Sequence, residues 1–94
     1  VDADCLYRVS YYMNIPSGTV TAGDIALFLA WSDGTVYHNP PGTALDAVSA
    51  HLSSMQGTMV MWCVAGSSIQ FDTQSAGIVG SLQYNLYLTA ERLM

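Results

Sequence analysis

A chain of 94 residues with 51% apolar and 10% charged side chains, no lysine and a formal charge of −5 holds one small core inside an acidic surface. With Arg8 and Arg92 as its only Lys or Arg residues, it has no phosphate-neutralising surface, which argues against nucleic-acid binding and disfavours anionic membranes. The charged share is far below the usual quarter or so, and a single small core cannot absorb that much apolar surface, so the surplus predicts a homo-oligomer with a buried interface.

No apolar run approaches the roughly 18 residues of a membrane span, so no membrane insertion is expected. The chain opens on Val1 without a signal-peptide pattern, and reads as a single domain, 1–94, excised from something longer. The absence of an Asn-x-Ser/Thr sequon argues mildly against a glycosylated secreted surface. Two cysteines are not a disulfide framework. Cys5 and Cys63 either form one bond or stand as two small buried hydrophobes.

"CLYRVSYYM" (5–13) alternates, with Cys5, Tyr7, Val9, Tyr11 and Met13 on one face and Arg8, Ser10 and Tyr12 on the other, the signature of a half-buried strand. Residues 15–24 carry Pro16, Gly18 and Gly23 and read as a loop. "IALFLAWS" (25–32) is apolar on both faces and runs into Asp33-Gly34. That dipeptide predicts a two-residue hairpin loop, with Trp31 opposite Val36 and Ala30 opposite Tyr37. "NPPG" (39–42) then breaks the sheet.

In "TALDAVSAHLSSM" (43–55) the period changes, since Leu45, Val48, Leu52 and Met55 share a helical face and Thr43 with Asp46 resembles a capping box. A short helix is predicted there. "TMVMWCVA" (58–65) is a second strand apolar on both faces, "SIQFD" (68–72) follows, and a Gly77/Gly80 loop leads to the final strand. An antiparallel strand with two apolar faces must be covered twice. One cover is the opposing sheet and the other either the 43–55 helix or a neighbouring subunit. The low charge favours the subunit, which makes Phe28, Val60, Trp62 and Val64, opposite in phase to the other apolar set, the candidate oligomer interface.

The last strand alternates Leu82, Tyr84, Leu86, Leu88 and Ala90 with Gln83, Asn85, Tyr87, Thr89 and Glu91. Setting Arg8 opposite Glu91 places Ser10 beside Thr89 and Tyr12 beside Tyr87 while both apolar faces coincide. A slip of one residue spoils the face. The first and last strands are thus expected side by side. The fold class is all-β: a small antiparallel β-sandwich or jelly-roll-like domain with paired terminal strands and one short helix near 43–55.

No reaction motif is present, and the chain is not expected to be an enzyme. His38 and His51 lie outside any nucleophile motif, and turn or strand-flanking chemistry accounts for Asp24, Asp33 and Asp72. Neither calcium nor zinc ligand spacing occurs, so no metal and no cofactor are expected. Ligand recognition is the better candidate. Around one turn, "WSDGTVYHNPPG" (31–42) gathers Trp31, Asp33, Tyr37, His38 and Asn39, aromatic platforms with directed acceptors of the sort a sugar site uses. The plainer alternative has Trp31 and Tyr37 in the core or an interface, with Asp-Gly and Pro-Pro only shaping turns.

Short lysine-free strands, Gly/Ser/Thr/Pro-rich loops and the closing strand "LQYNLYLTAERL" give the chain a style that resembles viral surface domains, namely the protruding domains of small RNA-virus capsid proteins and the heads of attachment fibres. The resemblance implies a β-sandwich or jelly roll displayed as a homo-oligomer on a virion surface, acting in capsid or fibre structure and in host attachment through a receptor or glycan. A helix at 43–55 departs from the smallest jelly rolls. The alternative is a non-viral, extracellular carbohydrate- or protein-binding β-module.

Overall fold

In the computed structural model, Val1 and residues 4–93 are described. Seven strands follow in order: β1 (Cys5–Gly18), β2 (Ala22–Ser32), β3 (Tyr37–His38), β4 (Thr43–Asp46), β5 (Ser54–Cys63), β6 (Gln70–Val79) and β7 (Leu82–Arg92), with a single 3-10 turn, Ser49–His51, between β4 and β5. The architecture is the small antiparallel all-β domain that the alternation of side chains predicts.

The terminal strands pair in the register read from the sequence, with Arg8 opposite Glu91, Ser10 opposite Thr89 and Tyr12 opposite Tyr87. β2 pairs with β6 in the same sense, from Ile25 opposite Ser75 to Ala30 opposite Gln70. Between these two ladders the Thr19 amide donates to the Ser81 carbonyl (3.1 Å) and the Thr21 amide to that of Val79 (2.9 Å). β1–β2 and β6–β7 are therefore two arms of one long ribbon that folds over at residues 18–21 and 79–82. Glycines permit the corner. Gly18 and Gly80 have φ of +120° and +113°, and a Cβ on either would collide with the backbone of the opposite arm.

Folding the ribbon makes a sandwich. One sheet has the order β5-β1-β7, and the other centres on β2, with β6 on one side and β3 and β4 on the other. Met13, Ile15, Val20, Ile25, Leu27, Leu45 and Ala47 form one apolar cluster between the sheets, and Val9, Leu29, Met61 and Cys63 form a second nearer the chain's start.

Local expectations give way where tertiary pairing competes. The predicted loop over 15–24 shrinks to a few residues, because β1 continues to Gly18 and β2 begins at Ala22. The predicted Gly77/Gly80 loop is likewise mostly strand, with β6 running to Val79. The hairpin register differs from the predicted one: Trp31 lies opposite His38 and Ser32 opposite Tyr37. A type I′ turn needs positive φ at both central residues, and only Gly34 has it. Asp33 instead spreads the turn to four residues, its Oδ1 accepting from the amides of Thr35 (2.9 Å) and Val36 (2.7 Å).

The helical reading of 43–55 reduces to the 3-10 turn. Thr43–Asp46 pairs with the free side of β2, Leu45 opposite Ile25, supplying hydrogen-bond partners that a helix would have withheld. Asp46 Oδ1 accepts from the Val48 amide at 3.0 Å rather than completing a capping box. Leu52, at φ 50°, ends the turn with its side chain exposed.

Candidate functional site

The 31–39 turn holds a compact cluster and a separate groove. Trp31 stacks on His38 with ring centroids 5.1 Å apart and planes 17° from parallel, while its indole packs against the Val9, Leu29, Met61 and Cys63 cluster. His38 Nε2 lies 2.7 Å from Asp33 Oδ2. The Val36 amide, then His38 and the Thr35 amide, hold the Asp33 carboxyl down at about 2, against an ordinary 3.8. A second carboxylate–imidazole pair, Asp46 with His51, has the same five-residue spacing. In both pairs one carboxylate oxygen is occupied by the backbone of its own turn, an arrangement that shapes loops.

Tyr37 and Asn39 face elsewhere. With Phe28, Gln70 and Asp72 they line a groove of about 290 Å³ on the outside of the β2 sheet, where the Tyr37 hydroxyl donates to Gln70 Oε1 at 3.0 Å. The five predicted ligand residues thus divide, with Trp31, Asp33 and His38 together and Tyr37 and Asn39 beside them in the groove.

The four candidate interface residues divide as well. Phe28 sits in the Tyr37 groove with its ring against Gly42. Val60 and Trp62 are exposed on β5, out of phase with its buried Met61 and Cys63, and so lie on the outer face of the other sheet. Val64, past the end of β5, packs against Gly34.

Two further features emerge from the fold. The outer face of β5-β1-β7 carries a shallow groove of about 540 Å³ lined by Ser10, Tyr12, Gln56, Thr58, Tyr87 and Thr89. Tyr12 and Tyr87 stand side by side there, ring centroids 6.2 Å apart and tilted by 42°. Rings flanked by hydroxyls and an amide match the chemistry of polyol recognition. The sequence signal for it was the Tyr12–Tyr87 pairing itself.

The second feature is the asymmetry of the sandwich's two long sides. On the β4/β5 side, Pro40 and Pro41 close the gap between sheets, leaving a void of about 30 Å³ beside Leu27, Leu29 and Met59. On the β6/β7 side the gap is an open apolar cleft of about 190 Å³, walled by Val9, Leu29, Ile69, Phe71 and Leu88. β6 and β7 are both edge strands among the described residues, bridged by the Thr73 and Tyr84 hydroxyls at 3.0 Å.

Among the described residues no group of three or more His, Cys, Asp or Glu side chains could hold a metal, and no helix is long and apolar enough to cross a membrane. Comparison with known proteins finds no family model, no curated protein and no solved structure that matches the chain.

Proposed function

We propose that the chain is an oligomeric surface domain, of the kind virus particles display, whose copies join along the β6–β7 edge and whose Tyr12/Tyr87 groove faces a host receptor or glycan. The observation that carries this reading is the unprotected edge. Monomeric sheet proteins blunt a long edge strand with lysines, prolines or a covering segment. Over both β6 and β7 the charges are Asp72, Glu91 and Arg92, and there is no proline. Phe71 and Val79 on β6 are 59% and 58% exposed, and the apolar cleft opens beside Phe71. A second copy laid against this edge would extend both sheets and cover the apolar side chains at once. The apolar surplus of the composition points the same way.

Light scattering coupled to size exclusion, over a dilution series, tests this directly. The expected result is a stable dimer or higher ring that Phe71→Lys converts to monomer without altering the far-UV circular dichroism. A wild-type chain that is monomeric at every concentration would overturn it. The Tyr12/Tyr87 groove favours a second reading, a carbohydrate-binding β-module that acts as a monomer. That reading expects glycan-array binding that Tyr87→Ala abolishes.

A further inference from the structure

Cys5 opens β1 and Cys63 closes β5, and the two are direct partners in the antiparallel ladder. Opposite residues in such a ladder have Cα atoms about 4.5 or about 5.5 Å apart, according to whether the pair is hydrogen-bonded. Both spacings fall within the roughly 4.4–6.8 Å that a disulfide spans. Opposite side chains also leave the sheet on the same face. Here that face is the core: Cys5 is 1% and Cys63 0% exposed, and Cys63 packs with Val9, Leu29 and Met61. The pairing therefore puts two thiols side by side, with their approach fixed by the backbone.

We propose that Cys5 and Cys63 are an oxidisable pair that closes to an intramolecular disulfide, fastening the first strand to β5. With oxidised glutathione as the oxidant, one cysteine thiolate attacks a glutathione sulfur, forming a mixed disulfide and expelling one glutathione thiolate. The second cysteine thiolate then attacks the protein-bound sulfur and expels the other. The two protein thiols lose two protons and two electrons, and oxidised glutathione takes up both to become two thiols.

Burial sets the rate. It pushes the Cys63 thiol up from its ordinary value, and only the thiolate attacks, so the folded pair reacts when this end of the sandwich opens. What covers that end is short. The Val1 ammonium donates to the Ser67 carbonyl (3.1 Å), the Gly66 amide to that of Val1 (2.9 Å) and the Ala65 amide to Asp4 Oδ1 (2.8 Å). All three bonds join a chain terminus to a surface turn, where local opening is easiest. The closed bond would tie together a loop containing β2, β3 and β4, restricting the unfolded chain over more than half its length.

The sequence supplies a clean assay. With arginine at 8 and 92 and no lysine, trypsin separates Cys5 and Cys63 into the fragments 1–8 and 9–92. The full chain is refolded from denaturant into a glutathione redox buffer, so that burial is no obstacle, then alkylated, digested without reductant and weighed by mass spectrometry. The expected result is one species joining 1–8 to 9–92, free of alkyl adducts and split by reductant. Its parent protein should melt roughly 10 °C or more above the reduced form. Separate fragments with both cysteines alkylated, a bond between two chains, or a linked protein that melts below the reduced one would each overturn the proposal.

Discussion

Replacing Gly57 by alanine should destabilise the protein, although a glycine inside a strand ordinarily gains from that change. The gain comes from restricting the unfolded chain and is worth about 0.5–1 kcal/mol. Gly57 qualifies for it, since its φ is not positive. It also lies opposite Tyr11, whose ring occupies the space a side chain would take. An added Cβ would sit 2.8 Å from Tyr11 Cε1 and nearer still to Cζ and the hydroxyl oxygen. Carbon atoms rest about 3.5–4.0 Å apart, so the ring must retreat by about 1 Å. It has little room, because Tyr11 already packs against both apolar clusters. Overpacking of this kind costs about 1–3 kcal/mol, which outweighs the backbone gain and leaves a net loss of about 1 kcal/mol. For a domain this size that lowers Tm by about 4–8 °C. The assay is a double-mutant cycle by thermal or urea denaturation, with Tyr11→Ala as the second substitution. Once the ring is gone, Gly57→Ala should stabilise by about 0.5 kcal/mol. Equal stabilisation in both backgrounds would refute the steric argument.

The Asp33 carboxyl titrates at about 2 in the folded chain against an ordinary 3.8, so as pH falls the unfolded chain takes up this proton first. The stabilisation is complete above 3.8 and drains away as pH falls toward 2. Asp33→Asn should therefore flatten the fall of Tm across that window, and parallel curves for variant and wild type would count against the turn geometry. Arg8 and Glu91 meet at 3.0 Å, but their side chains are 43% and 63% exposed, so a double-mutant cycle should give a coupling of about 0.5 kcal/mol or less. A coupling above about 1 kcal/mol would mean that something covers the pair in solution.

Some of the chain's chemistry is legible in the order of its residues. The Tyr12–Tyr87 pair follows from the alternation of two strands, because a single register sets Arg8 beside Glu91 and keeps both apolar faces inward. The rest of that groove is not legible in this way. Gln56 and Thr58 arrive from β5, which is apolar on both faces from Met59 to Cys63, and nothing in its own pattern says which strand it joins. The Trp31 turn reads as one site in sequence and divides in space, because alternation along the paired strands sets Trp31 and His38 on one face and Tyr37, with Asn39, on the other.

Local alternation and composition were enough to establish the all-β class, the pairing of first and last strands and the lack of basic surface. Long-range pairing was needed to make 43–46 a strand, to set Cys5 against Cys63, and to close one side of the sandwich with prolines while the other stands open. Those outcomes depend on which distant strand supplies the missing backbone partners. An unpaired ladder of amides and carbonyls costs more than a weak helical preference returns, and no local pattern records where its partner lies.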